Sequence, residues 1–161
     1  MTKRLLFLVA FVAFAALICT NPAVAQTDKT NVLNVTASVA ANCRISSVAD
    51  IGFGAYDPTD SNNLDAAGNM IFRCVKNTPY KTFIAGARVM NSSPATDPLN
   101  FQLYNDPGRA AGAVYPSDNT ASGATAPSNA AITANIYGRI PALQDVGVNT
   151  YAVALTATVE Y

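Results

Sequence analysis

The residues of this chain that could do chemistry are few, and they do not converge. There is no histidine among the 161 residues, so the commonest general base and the commonest transition-metal ligand are both missing. A serine or cysteine nucleophile would need another base. Asp57, Asp60, Asp65 and Glu160 are carboxylates of the kind that hydrolyse sugars in pairs, yet nothing in their spacing brings two of them together. The stretch YDPTDSNNLD gathers the hard oxygen ligands Asp57, Asp60, Asn62, Asn63 and Asp65. Counted from Asp57 or from Asp60, it lacks a glycine at the sixth loop position and a closing glutamate, so it fails the helix-loop-helix calcium pattern and reads as a solvated polar turn. No catalytic residue, metal ligand or cofactor is assigned, and the chain reads as a protein that is not an enzyme.

Cysteine is the remaining reactive type. Cys19 falls in the N-terminal stretch MTKRLLFLVAFVAFAALICTNPAVAQ, where Lys3 and Arg4 precede an apolar run from Leu5 to Cys19, followed by Pro22 and the small triplet Ala23-Val24-Ala25. This is the pattern of a secretory signal peptide over residues 1–25, with the mature chain starting at Gln26. A retained membrane anchor is the alternative, although the run falls short of the ~18–20 residues that span a bilayer. Lipidation at Cys19 is disfavoured by the bulky Ile18 before it. After cleavage Cys43 and Cys74 remain, and in an oxidising compartment an isolated pair is most simply a disulfide. Two buried free thiols are the other possibility.

Removal of 25 residues leaves 136, enough for one domain with a core. Of ten basic residues Lys3 and Arg4 are lost, so eight face ten acidic ones and the formal charge is −2. The basic residues of the mature chain, among them Arg44, Arg73, Lys76, Lys81, Arg88, Arg109 and Arg139, are scattered singly, with no basic run or aromatic-interleaved patch for phosphates. Nucleic acid is excluded as a partner on these grounds, and so is stable membrane insertion once the leader is gone.

The elements that hold these residues are short strands. From Leu33 the positions Leu33, Val35, Ala37, Val39, Ala41 and Cys43 are apolar or small, against Asn34, Thr36, Ser38 and Asn42, which predicts an unusually long strand. IGFGAYDP reads as a short strand ended by Pro58. AGNMIFRCV, PYKTFIAGARVM and DPLNFQLYND are β-rich segments bounded by Pro, Gly or Asn-Asp signals. Residues 105–130, rich in Gly, Pro, Ser and Ala, read as a long surface excursion in which only Val114 and Tyr115 suggest a strand fragment. ITANIYGRIPA resumes strand character up to Pro141. In TYAVALTATVEY, Tyr151, Val153, Leu155, Ala157, Val159 and Tyr161 alternate with Ala152, Ala154, Thr156, Thr158 and Glu160. A last strand with no onward turn leaves an edge or a groove to be filled. Six or seven strands on this spacing predict a sandwich.

Several of these segments together resemble the spore coat protein U domain family, which includes spore coat proteins and subunits of archaic chaperone-usher pili. NVTASVAANCRI, IGFGAYDP and GNMIFRC surround the two cysteines; Arg88-Val89-Met90, FQLYND, IYGRIPALQDVGVNTY and ALTATVEY continue in the same order. The likeness covers nearly all of the mature chain. One departure is Ala152, where the family commonly shows Asp, together with a lengthened approach at Val148-Asn149-Thr150.

The resemblance implies an all-β, immunoglobulin-like sandwich of about six strands that lacks its last strand and is completed by a donor strand from a neighbouring subunit. On that reading residues 26–39 are the donor segment, with Leu33, Val35, Ala37 and Val39 entering a neighbour's groove, and residues 40–161 are the pilin domain. Tyr151, Val153, Leu155 and Val159 form the groove edge. The implied partners are a periplasmic chaperone, an outer-membrane usher and like pilin subunits in a head-to-tail polymer at the cell surface, serving adhesion and biofilm formation. The mature length leaves no room for a receptor-binding domain, which points to a shaft or minor subunit. The alternatives are a spore-coat-type structural protein and a secreted binding module that fills its own groove.

Overall fold

The computed structural model describes residues 27–94 and 97–161. The signal peptide expected over residues 1–25 lies outside the described residues. The chain divides after Ala37. Residues 27–37 carry neither helix nor strand and are exposed along their length, Leu33 to 86% and Val35 to 85%.

The long strand expected from Leu33 to Cys43 is therefore not formed. Pairing begins only at Cys43, in β1 (Cys43–Ala49). The alternation in residues 33–39 is real, but a strand exists only where a second backbone takes up its N–H and C=O groups, and no described strand pairs with residues 27–42.

From Ser38 onward the strands are β2 (Leu64–Cys74), β3 (Pro79–Ala85), β4 (Val89–Ser92), β5 (Pro98–Asn100), β6 (Gln102–Tyr104), β7 (Ala124–Thr125), β8 (Ile132–Ile140), β9 (Tyr151–Ala152) and β10 (Thr156–Glu160), with one 3-10 turn at Ala111–Ala113. One sheet runs β1-β2-β8-β6, entirely antiparallel. Facing it are β10-β3-β7 and β5-β4-β9. In these two groups β3 and β4 are successive parts of one chain run, as are β9 and β10. The run Pro98–Tyr104 gives β5 to one layer and β6 to the other, crossing between them at Phe101.

In immunoglobulin order, β1, β2, β8 and β6 are strands A, B, E and D of one sheet, and β3–β4 and β9–β10 are C and F of the other. The fold is thus an all-β, immunoglobulin-like sandwich, and among the described residues no strand takes the G position beside F. The core lies between the layers. Met70 and Phe72 from β2, Ile136 and Ile140 from β8 and Leu103 from β6 meet Ile84, Leu99 and Phe101 from the other side. In β2 and β8 the core residues recur at every second position, Met70, Phe72 and Cys74 in one and Ile132, Ala134, Ile136 and Ile140 in the other, which is why these two segments read as half-buried strands.

Cys43 and Cys74 face each other across β1 and β2 and are bonded. The 105–130 stretch is more than a surface excursion: Tyr115 is 3% exposed and Ala126 fully buried, and the Tyr115 hydroxyl donates to Thr82 Oγ1 (3.0 Å). Burial pushes the Tyr115 hydroxyl pKa up. The calcium-like stretch is a pair of side-chain-capped turns, in which Asp57 accepts from Thr59 and Asp60 from Asn62. Among the described residues no three His, Cys, Asp or Glu side chains cluster as a metal site.

Candidate functional site

IGFGAYDP is not a strand. Residues 50–57 pair with no strand, although Ile51, Phe53 and Tyr56 are half-buried and pack on the core. The alternation of Ile51 and Phe53 marks a face to be buried; it does not supply a backbone partner. These residues form one wall of an open groove.

The opposite wall is the run from Tyr151 to Ala157. Among the described residues β9 pairs only with β4 and β10 only with β3, so no described strand pairs with the other edge of either. Two cavities of about 580 and 170 Å³ lie between the walls. Ile51, Phe53 and Met90 line both. The larger runs past Tyr56, Leu99, Ile140 and Val146 to Tyr151; the smaller is floored by Ile84, Phe101, Leu103 and Ile136 and flanked by Val153, Leu155 and Ala157. Among the described residues, Asp50 is the one charged residue on the lining of either cavity. A trough with apolar side chains below and unpaired backbone along both rims can accept an extended peptide. Side chains would enter the core while main-chain groups bond to the rims.

Local sequence explains the rims. Gly86 has φ +125°, a conformation that side-chain-bearing residues rarely adopt, and a Cβ there would stand 2.6 Å from Leu155 Cδ2. The bulge at Gly86 separates β3 from β4 and leaves residues 153–155 of the opposing run without strand pairing. Two residues on, one guanidinium nitrogen of Arg88 donates to the carbonyl of Ile84 (2.8 Å), and Nη1 is buried with no partner among the described residues. Burial holds its pKa below the ordinary arginine range.

The ends of the groove are pinned. At the wide end the Tyr56 hydroxyl donates to the carbonyl of Pro141 and accepts from the Gln144 N–H, both at 2.9 Å. Gln144 in turn bonds both backbone groups of Asn100. Beyond Ala157 the Tyr161 hydroxyl donates to Asn42 Oδ1 (3.2 Å), beside the Cys43–Cys74 bridge. A charged cluster lies elsewhere among the described residues. Arg139 makes a two-point bond to Asp65 (2.8 and 2.9 Å), which Arg109 joins at 3.2 Å, and the hydrogen bond from Arg139 is the main cause holding the Asp65 carboxyl below its ordinary pKa.

Of the groove-edge residues named from sequence, Tyr151, Val153 and Leu155 line the cavities. Val159 does not; it is half-buried on the core in β10, opposite Thr82. Leu33, Val35, Ala37 and Val39 are exposed. The sequence reading missed the 48–56 wall as part of the site, and it missed the floor. The available signal was Gly52 and Gly54 in an otherwise apolar run, since glycine inside a strand pattern warns of a broken ladder.

The sequence matches the family model described as the Spore Coat Protein U domain over residues 29–158. No curated protein matches the chain. Among solved structures, it is similar to a chain of the CsuC-CsuE chaperone-tip adhesion subunit pre-assembly complex from archaic chaperone-usher Csu pili of Acinetobacter baumannii, with 19% identity and a TM-score of 0.49. The match covers 77% of this chain and 41% of that one.

Proposed function

The chain belongs to the Spore Coat Protein U domain family, and from that membership and the open groove we propose that it is a structural subunit of a surface pilus built by donor-strand exchange. A periplasmic chaperone covers the groove first. At an outer-membrane usher the N-terminal segment of the next subunit, residues 26–39, replaces it, and the domain of residues 40–161 accepts it. The chain reaches the surface through the periplasm and contributes to adhesion and biofilm as part of the filament.

The observation that carries this reading is the groove itself, with its unpaired β9–β10 edge and its apolar floor. Exposed core and unpaired backbone are unfavourable until a strand covers them. The alternation of Leu33, Val35, Ala37 and Val39 offers an apolar face of the right kind, and Leu33 and the two valines contribute about 1.5–3 kcal/mol each on burial, before ordering costs. Donor and groove are different surfaces of one chain. The contact is heterologous, and a heterologous contact that does not close gives a filament.

Negative-stain electron microscopy of the native protein, with electrophoresis of unheated and heated samples, tests the reading. Filaments and a ladder that collapses to one band on heating are expected. A monodisperse, cooperatively melting monomer made without any chaperone would contradict it, and would favour a chain that fills its own groove.

A further inference from the structure

Beyond β1 the wall of residues 50–56 lies against the β1-β2-β8-β6 sheet, with no strand pairing from residue 50 to 57. Its height above that sheet is therefore set by side-chain seating. Two glycines form the seat. Gly68 in β2 stands opposite Ile136, and Gly138 in β8 stands opposite Ala66. Neither has positive φ, so backbone freedom does not explain their presence in strand interiors, where glycine weakens a sheet or marks close approach.

Space does explain it. A Cβ on Gly138 would stand 2.6 Å from Phe53 Cζ and 3.2 Å from Ile51 Cγ2. One on Gly68 would stand 2.6 Å from the carbonyl oxygen of Ala49 and 2.8 Å from Ile51 Cγ1. Ile51 and Phe53 are the wall residues that line both cavities. Bare backbone beneath them lets these side chains sink toward the sheet; any atom added there pushes them the other way, into the groove.

We propose that Gly68 and Gly138 are positioning residues for strand acceptance: by seating Ile51 and Phe53 deep, they hold the groove wide enough to admit a strand. The proposal rests on the reading of the groove as a strand acceptor. It separates two properties of one chain, because a subunit with a filled seat loses the acceptor role and keeps the donor role.

The test refolds the full-length chain, disulfide intact, with an excess of a synthetic peptide of residues 27–41 and measures retained peptide and the melting midpoint. The wild-type chain is expected to retain the peptide. Gly138→Ala should bind it about tenfold more weakly or worse, as overpacking moves Phe53 into the groove. The same variant should still donate its own N-terminal segment to wild-type grooves in mixed polymer. Phe53→Leu, which removes the ring atom that the added methyl group would strike, should restore peptide binding to the Gly138→Ala chain, even if Gly138→Ala alone folds poorly. Equal binding by Gly138→Ala and wild type overturns the proposal while leaving the acceptor reading intact. Failure of Phe53→Leu to restore binding, when Phe53→Leu alone binds normally, also overturns it. A wild-type chain that takes no peptide removes the acceptor reading and this proposal together.

Discussion

Residues 33–39 and β2 carry the same instruction and meet different fates. Leu33, Val35, Ala37 and Val39 recur at every second position, as Met70, Phe72 and Cys74 do, although Ile71 stands between the first two of the latter where residues 33–39 place only polar residues. β2 has β1 on one side and β8 on the other, and Met70 and Phe72 are fully buried. Leu33 and Val35 are more than four-fifths exposed. Periodicity states which face of a strand is to be buried, while the identity of the partner is a tertiary fact. The C-terminal run lies between these extremes. β10 has one neighbour among the described strands, and the alternating face of the run is at best half-buried, with Val153, ahead of β10, still 39% exposed.

If that contrast is right, substitutions in β2 act on the monomer and those in residues 33–39 act on assembly alone. Phe72→Ala should have the largest effect, lowering stability by about 3–5 kcal/mol whatever the assembly state, as measured by denaturant unfolding of the peptide-filled chain. Replacing Cys43 and Cys74 by alanine should remove about 3–4 kcal/mol from the same measurement, given the 31-residue separation the bridge closes. Val35→Lys should leave monomer stability unchanged and abolish the SDS-resistant ladder. It forfeits about 1.5–3 kcal/mol of valine burial and brings a charge toward an apolar groove. Thr36→Lys, on the other face, should polymerise normally. Equal ladders from the two variants would break the contrast, and a reversed preference would shift the donor register by one residue.

The smallest effect concerns the surface. Asp65→Asn should cost less than about 1 kcal/mol, because its partly exposed ion pairs with Arg139 and Arg109 are screened by solvent. Its folded pKa is lowered, so its contribution is complete above the unfolded carboxylate value near 3.9 and is lost as pH falls through the folded value. Acid titration of stability should show the loss of this contribution only below about pH 4.

What was legible in the sequence follows the same line. β2 and β8 could be read directly, because each finds partners inside the chain. IGFGAYDP resembles a strand in sequence but is an unpaired wall, because Ile51 and Phe53 are seated on Gly68 and Gly138 without a backbone neighbour. Tyr115 stood out with Val114 as a strand fragment, but its burial against Thr82 is a long-range contact that no local pattern encodes. The break at residues 153–155 was likewise invisible, since it answers a bulge at Gly86 far away in sequence. Val159 shares the alternation of Leu155 yet sits on the closed core, because β10 leaves the groove before reaching it.

The most direct measurement places a photo-crosslinking side chain at position 35 in polymer assembled from an equal mixture of isotopically light and heavy subunits. Mass spectrometry then maps the linked peptides. Mixed light-heavy links from position 35 to residues 48–56, 84–103 or 151–157 are the expected result, since they place the segment of one copy in the groove of another. Links confined to pairs of the same isotope, or falling on the outer face around Asp65 and Arg139, would contradict donor-strand exchange for this chain.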